Sequence, residues 1–229
     1  MWQTCPVTNS QALVLFDLDG TLIDPAGSIT GGIEAALREH GLPVPDPRVV
    51  SSMVGPALVT SLRNIAGVPE HLIDPVMGAY RAGYRSVGMA QSRPYPGIAD
   101  CVRELRADGA RVAVATQKPE WLAEELLTAQ DMIGLFDSVH GAPRDERAAA
   151  ALPGKKPIIA AALAEHSGHY GSAIMVGDRS HDVLGAADNG LGCVGVSWGF
   201  AAPGELEEAG AIAVVDSAEK LLEVLRGNL

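Results

Sequence analysis

The sequence predicts an α/β fold in which one helical insert interrupts a parallel sheet. Short apolar runs alternate with helical patterns along most of the 229 residues, and this alternation is typical of βαβ units. One long segment after the first strand shows helical patterns only. The hydrophobic fraction of 47% is enough for a core and too high for a disordered chain.

The predicted elements follow one another in a regular order. The first strand is residues 12–17, a short apolar run that ends in turn residues. Residues 28–91 carry helical spacing of their apolar positions, and Gly and Pro separate successive helices. From residue 97 onward we predict helix 97–109, strand 111–115, helix 119–130, strand 138–141, helix 157–166, strand 172–176, helix 181–189, strand 192–196, strand 211–215 and helix 217–226.

This order divides the chain into two domains. Strands joined through helices indicate a Rossmann-like parallel core, made of residues 1–24 and 94–229. The insert, residues 25–93, is about 65–70 residues long and therefore too long for a loop. We expect it to form an all-helical cap domain, with the Pro- and Gly-rich joints on either side as hinges.

The charge and composition exclude several classes of partner. A formal net charge of −11 disfavours nucleic acid, because a phosphate backbone needs clustered Lys and Arg, and it equally disfavours an anionic membrane surface. The sequence shows neither a run of 18 apolar residues nor a signal-peptide pattern, so we expect a cytoplasmic protein. Cys5, Cys101 and Cys193 are odd in number and widely spaced, which favours reduced cysteines over disulfides or zinc.

Polar side chains collect at the predicted carboxyl ends of the strands, where parallel α/β sheets bind their ligands. The set contains four carboxylates, one hydroxyl and one lysine: Asp17, Asp19, Asp178, Asp182, Thr116 and either Lys155 or Lys156. Clustered carboxylates repel one another unless a cation joins them, and oxygen ligands suit Mg²⁺. A carboxylate can attack phosphorus to form an aspartyl-phosphate, and a second acid can manage the proton. A hydroxyl and a lysine would hold the phosphoryl oxygens.

Four short motifs resemble those of the haloacid-dehalogenase-like (HAD) phosphohydrolase superfamily. They are "DLDGT" with Asp17 and Asp19, "VAVAT" ending in Thr116, a lysine before Pro157, and "GDRSHD" with Asp178 and Asp182. The resemblance covers essentially the whole chain. The helical insert is similar to the cap that lies between the first and second motifs of that family.

The resemblance implies a role for each motif residue. Asp17 is the expected nucleophile and Asp19 the expected general acid and base. Thr116 and a lysine are expected to hold the phosphoryl group. We favour Lys156 over Lys155 for that role, because the family's lysine usually precedes Pro.

The implied cofactor is Mg²⁺. By the same resemblance, its ligands are Asp17, the backbone carbonyl of Asp19, and Asp178. Asp182 is expected to take part as a more distant or water-mediated partner.

The implied function is Mg²⁺-dependent hydrolysis of a small phosphorylated metabolite through an aspartyl-phosphate. The segments "RPYPG" and "ATQKP" resemble the phosphoglycolate-phosphatase-like branch. The segment "GDRSHDVLGAADNGLGCVGVSWG", which begins with the fourth motif, also resembles 5′-nucleotidase-like members. We expect a monomer or a homodimer. The candidate substrate-binding residues are Gly20, Thr21, Gln117, Gly55 and Arg81.

Three alternatives stay open at this point. A 5′-nucleotidase would use the same core on nucleoside monophosphates. A phosphomutase of the β-phosphoglucomutase type would also share it, although such mutases often have Gly-Val where this chain has Gly20-Thr21. The third is a binding protein without turnover. A phosphonatase is disfavoured, because it needs a cap lysine and residues 28–91 contain none.

Overall fold

A six-stranded parallel sheet forms the centre of the protein. The structure, a computed structural model, describes residues 11–151 and 154–229, so Cys5 and the start of the predicted core lie outside the described residues. The strands are β1 (Ala12–Phe16), β2 (Ile23–Asp24), β3 (Arg93–Pro94), β4 (Arg111–Pro119), β5 (Ser138–Ala142), β6 (Ser172–Gly177), β7 (Gly192–Val196) and β8 (Ala213–Val215). The sheet order is β5-β4-β1-β6-β7-β8, and every neighbouring pair is parallel. The predicted fold class is therefore confirmed.

The first strand lies inside the sheet, paired with β4 on one side and β6 on the other, and both of its faces are covered. Val14 and Phe16 pack into one apolar cluster, whereas Leu13 and Leu15 pack into a second one on the opposite face. Alternation of this kind follows from the two-residue repeat of a strand. All four side chains are fully buried. The residue that follows β1 is thereby fixed at the middle of the sheet edge.

The core helices cover both faces of the sheet. They are α6 (Ile98–Ala107), α7 (Glu120–Ala129), α8 (Glu146–Ala150), α9 (Lys156–Glu165), α10 (Ser180–Ala187), α11 (Glu205–Ala209) and α12 (Ala218–Asn228), preceded in the chain by five cap helices. The short α8 and α11 were not expected from the sequence. Their five residues each are too few to produce a clear helical repeat of apolar positions.

The segment between β2 and β3 is helical, as the apolar spacing predicts. It contains α1 (Ser28–Glu39), α2 (Pro47–Ser51), α3 (Leu58–Asn64), α4 (Ile73–Gly83) and α5 (Met89–Gln91), with a 3₁₀ turn at Glu70–Leu72 and a π-helical turn at Tyr84–Gly88. We call residues 25–93 the cap and the rest of the chain the core. These domain boundaries remain predictions.

A small antiparallel pair lies at the joints between cap and core. Ile23 pairs with Pro94 and Asp24 with Arg93, and the Tyr95 amide donates to the Leu22 carbonyl at 3.0 Å. The sequence analysis missed this pair, because strands of two residues show no alternation. It brings the two ends of the cap together beside the carboxyl end of β1. Among the described residues, no helix is long and apolar enough to span a membrane.

Candidate active site

Three neighbouring strands bring the candidate side chains to one edge of the sheet. Asp17 directly follows β1, Thr116 lies in β4, and Asp178 directly follows β6. Because β1 lies between β4 and β6, the three side chains converge at the carboxyl edge, where ligands bind in such sheets. The Asp17 amide donates to the Val176 carbonyl at 2.9 Å, which fixes the start of the turn after β1.

A buried group of three carboxylates forms the centre of this edge. Carboxylate oxygens of Asp17, Asp178 and Asp182 all lie within 4.8 Å of one another. Asp182 belongs to the first turn of α10, and its carboxylate accepts from the Arg179 amide at 3.0 Å. The carboxylates of Asp17 and Asp182 are 7% and 2% exposed. Acids this close and this buried repel one another strongly unless positive charge is present.

The Asp178 carboxylate fits in its position because two residues that face it are glycines. A Cβ atom at Gly20 or at Gly199 would collide with the Asp178 carboxylate, and Gly20 also has a positive φ of 92°. The carboxylate accepts from the Thr21 hydroxyl at 3.0 Å and from the Phe200 amide at 2.8 Å. Gly20 and Thr21 were expected to contact substrate, but the structure places both against Asp178. Thr21 is fully buried and is not among the residues that line the cleft described below.

Lys155 is the lysine of the carboxylate cluster. Its Nζ lies 2.6 Å from Oδ1 of Asp17 and also contacts Asp182, and its side chain is 2% exposed. Lys156 is the first residue of α9, and its side chain is exposed. The predicted placement of Lys156 at the site is therefore wrong. At the start of a helix, adjacent residues diverge by about 100°, so only one of two neighbouring lysines can point at the acids.

Burial and mutual repulsion change the affinity of these groups for protons. Burial raises the pKa of Asp178 well above its usual range, and the charges of Asp182 and Asp17 raise it further. Burial raises the pKa of Asp182 to about 6, although Lys155 opposes the shift. Burial disfavours the charge on Lys155, but the facing Asp17 and Asp182 carboxylates raise its pKa above the usual value.

The donor set fits a divalent cation of the Mg²⁺ type. Three carboxylates and one ammonium would leave two uncompensated negative charges when all four groups are ionised. The group supplies oxygen atoms alone, without sulfur or nitrogen ligands, which is the preference of Mg²⁺. Asp17, Asp178 and Asp182 are the side chains that would hold the ion.

A narrow cleft lies between this edge and the cap. Its cavity volume is about 50 Å³, and Asp17, Asp19, Thr116 and Gln117 lie on its core side. Thr116 is almost fully buried, and its hydroxyl accepts from the Lys118 amide at 3.2 Å. Four of the expected core residues, Asp17, Asp19, Thr116 and Gln117, therefore share one cleft, whereas Asp178 and Asp182 are not among its lining residues.

Lys118 is a site residue that the sequence analysis did not select. Its Nζ lies 2.7 Å from Oδ2 of Asp19, and its side chain is 4% exposed. Burial disfavours its charge, but the Asp19 carboxylate raises its pKa above the usual value. The available signal was the two-residue spacing from Thr116, since alternate residues of a strand share a face. That signal was lost because β4 was predicted to end at residue 115, four residues short of Pro119.

Arg81 lies on the cap side of the cleft but is already paired. Its Nε and Nη2 bind the two carboxylate oxygens of Glu146 at 2.9 and 2.7 Å. The two side chains are 16% and 15% exposed. The expectation that Arg81 grips a substrate anion is not supported by this geometry, because its donor face points at a core carboxylate.

Arg179 connects the fourth motif to the cap loop. Its Nη1 donates to the Val54 carbonyl, and its Nε binds Glu205 at 2.9 Å. Gly55, an expected substrate contact, lines the cleft with a φ of 107°, and a Cβ there would lie 3.3 Å from Arg179. Burial opposes ionisation of Glu205, but backbone amides and Arg179 lower its pKa to about 2.

The chain matches a known protein family over most of its length. The sequence model of the haloacid dehalogenase-like hydrolases matches residues 14–196. The chain belongs to this family. The predicted resemblance is confirmed, and the protein is an enzyme of a hydrolase family whose members include phosphatases.

Several characterised relatives of this HAD protein match over most of its length. It is 36% identical to "Tyrosine-protein kinase PtkA" of Mycobacterium tuberculosis, over 94% of this chain and 73% of that protein. It is 32% identical to a 5′-nucleotidase of Pseudomonas aeruginosa, over 84% of this chain and 86% of that protein. It is also 32% identical to a phosphoglycolate phosphatase of Caulobacter vibrioides, over 90% and 87% of the two chains.

A solved structure supports the same HAD fold. The crystal structure of a predicted phosphatase from Clostridium acetobutylicum superposes with a TM-score of 0.85 at 32% identity. The match covers 96% of this chain and 100% of that one. The fold described above is therefore shared with that protein over nearly the whole of both chains.

Proposed function

We propose that this HAD phosphatase hydrolyses a small phosphate monoester with Mg²⁺ through an aspartyl-phosphate on Asp17. The observation that carries the proposal is the position of the Asp17 carboxylate. It lies at the end of the central strand, 2.6 Å from the Lys155 ammonium, within the carboxylate cluster and on the wall of the cleft. A carboxylate so placed can meet a phosphoryl group that enters from the cap side.

In the first half-reaction, a carboxylate oxygen of Asp17 attacks phosphorus. The new P–O bond to Asp17 forms as the P–O bond to the leaving alcohol breaks. Asp19 must enter this step in its protonated form, and it gives that proton to the leaving oxygen, so the product is a neutral alcohol group. Oδ1 of Asp19 is buried and has no hydrogen-bond partner among the described residues, which leaves that oxygen available to carry the proton.

In the second half-reaction, water attacks phosphorus and the bond to Asp17 breaks. The Asp19 carboxylate takes a proton from the water as it attacks. Inorganic phosphate leaves, Asp17 is restored as a carboxylate, and Asp19 is again protonated. The two acids thus have separate tasks although they lie two residues apart.

Thr116 and Lys155 are the groups that would hold the phosphoryl oxygens. Both are almost fully buried, and in such surroundings the attraction of an ammonium for developing negative charge is screened less than in water. Asp17, Asp178 and Asp182 would hold Mg²⁺. The bound ion supplies positive charge that stabilises the phosphoryl oxygens. The cap over the cleft would exclude bulk water.

The relatives support two substrate classes for the same chemistry. One is named a phosphoglycolate phosphatase and another a 5′-nucleotidase. We favour the first class, because a cavity volume of about 50 Å³ leaves little room for a nucleoside while the cap is in this position.

A second candidate function follows from the relatives named PtkA. Their 36% identity over 94% of this chain makes phosphoryl transfer from ATP to a tyrosine a reaction worth testing. The same Asp17 would accept the phosphoryl group, but a phenol would replace water as the second nucleophile. This candidate needs the cap to admit a peptide.

The test is phosphate release from a panel of monoesters, with Mg²⁺ and with chelator. The panel holds phosphoglycolate, a nucleoside monophosphate, a sugar phosphate and an aryl phosphate, beside a tyrosine peptide with ATP. Asp17→Asn should abolish release, and Asp108→Asn on the exposed end of α6 is the matched control. Asp19→Asn should let a phosphorylated Asp17 peptide accumulate with the aryl ester, detected by mass spectrometry after acid quench.

The outcomes separate the candidates. Mg²⁺-dependent release that Asp17→Asn abolishes supports the phosphatase. Transfer between sugar phosphates without release would favour a phosphomutase, and label on the peptide would favour the kinase. A folded protein that binds Mg²⁺ but turns over nothing would favour a binding role.

A further inference from the structure

Lys118 is a buried cation on the side of the cleft that the leaving group would occupy. Its ammonium lies 2.7 Å from Oδ2 of Asp19 and 4.4 Å from the centre of the Tyr84 ring of the cap. It therefore stands between the acid of the core and the aromatic wall of the cap. Since Asp19 is the group that would protonate the leaving oxygen, the alcohol half of a substrate would lie beside Lys118.

The charge of Lys118 has a single acidic partner among the described residues. That partner is Asp19, which would have to turn toward the leaving oxygen during the reaction. A buried ammonium that loses its only counter-charge is strongly disfavoured, and the Tyr84 ring can compensate for only part of the loss. The geometry thus calls for a second negative group, supplied with the substrate.

The other cation of the cleft does not offer the same opportunity. Arg81 lies on the cap side, and both oxygens of the Glu146 carboxylate already occupy its donors. Its partner is not one of the proposed reacting groups, so its pairing can persist through turnover. Lys118 is the cleft cation whose pairing must change.

The size of the cleft limits what can carry the negative group. The cavity volume of about 50 Å³ is bordered on the cap side by apolar side chains, among them Ile29, Ile33 and Leu58. Asp17 and Lys118 both line this small cavity. A carboxylate one or two carbons from the ester oxygen meets this limit.

We propose that Lys118 binds an anionic substituent on the alcohol half of the substrate, so that the substrate is the phosphate monoester of a small hydroxy acid. The inference rests on the proposed phosphatase function. It favours phosphoglycolate and its close analogues over nucleoside monophosphates, because a nucleoside carries no negative charge at this position. Lys118 is then the residue that determines specificity, and Asp19 gives up its ion pair to the incoming carboxylate.

The test compares two substrates that differ in one charge. Phosphoglycolate carries a carboxylate where hydroxyethyl phosphate carries a neutral hydroxymethyl group. We expect the wild-type kcat/KM to favour phosphoglycolate by about 10- to 100-fold, the range of a charge-assisted hydrogen bond. Lys118→Met should remove most of this preference by lowering kcat/KM far more for phosphoglycolate, and Lys118→Arg should keep part of it. The matched control is Lys156→Met, an exposed lysine outside the cleft.

Two results would overturn the proposal. One is a wild-type enzyme that treats both esters alike. The other is a Lys118→Met variant that loses the same factor on both, which would make Lys118 a positioning residue for Asp19 only.

A second measurement needs no variant and so does not depend on folding of Lys118→Met. Phosphonopropionate and hydroxypropylphosphonate replace the ester oxygen of the two substrates by carbon, and both can be tested as inhibitors of aryl phosphate hydrolysis. The carboxylate should inhibit at a concentration about tenfold lower. Equal inhibition would contradict the proposal. If inhibition is equal but the wild type still releases phosphate from the aryl ester and Asp17→Asn does not, the phosphatase function stands and only the Lys118 proposal fails. If the wild type releases no phosphate from the aryl ester, both proposals fail.

Discussion

The choice between two adjacent lysines provides the sharpest test of the site. The perturbation is Lys155→Met, with Lys156→Met as its matched partner. Both changes remove one charge and keep a long apolar side chain, and they stand next to each other at the start of α9. They differ in surroundings, because the Lys155 side chain is 2% exposed and that of Lys156 is exposed.

The expected magnitude follows from the ion pairs of Lys155. Its ammonium contacts Asp17 and Asp182, both buried, so its removal leaves two carboxylates without their cation. Breaking a buried ion pair costs about 3–5 kcal/mol of stability, which is about 6–20 °C in Tm for a chain of this size. Loss of a cation at the phosphoryl site should also lower kcat by about 10²–10³-fold. Lys156→Met should stay within about 0.5 kcal/mol.

The assay pairs urea unfolding in chelator with phosphate release in Mg²⁺. Adding Mg²⁺ should restore part of the stability of Lys155→Met, because the ion supplies the positive charge that the variant lacks. Mg²⁺ should change the stability of Lys156→Met no more than it changes that of the wild type. A larger loss for Lys156→Met, in either stability or kcat, would refute the assignment of Lys155.

Three further predictions concern the metal site, an ion pair between cap and core, and the loss of stability at acidic pH. Asp178→Asn should remove the rise in Tm that Mg²⁺ gives the wild type, and an unchanged rise would place the ion elsewhere. A double-mutant cycle of Arg81→Met and Glu146→Gln should give a coupling free energy of about 1–3 kcal/mol in urea unfolding; additive losses would contradict the bidentate pair. Folding lowers the pKa of Glu205 from 4.5 to about 2. The ionised carboxylate therefore stabilises the protein fully at pH values above 4.5, and this contribution is lost as the pH falls toward 2. Glu205→Gln should therefore differ more from wild type at pH 6 than at pH 3, and an equal difference would argue against this pair.

The order of elements could be predicted because each long element has a regular apolar pattern. Strand β1 and helix α12 have such patterns, and both were found within a few residues of their predicted bounds. The end of β4 could not be located this way, since its last four residues, Thr116 to Pro119, leave the apolar pattern. That error mattered, because those residues form one wall of the cleft.

The composition of the site was more predictable than its contacts. Short motifs at strand ends named Asp17, Asp178 and Thr116, because parallel strands deliver such residues to one edge. The sequence could not say which neighbouring lysine turns inward, since that depends on the phase of α9 relative to the sheet. It also could not show that Thr21 faces an acid, because its partner is 157 residues away in the chain.

Ion pairs join the cap to the core and should oppose opening of the cleft. Arg81 binds Glu146, and Arg85 binds Glu125. Arg147 of the core likewise binds Glu70 and Asp74 of the cap. Movement of the cap away from the core would break these contacts. Exposed pairs contribute little, so Arg81–Glu146, the least exposed of them, should resist opening most.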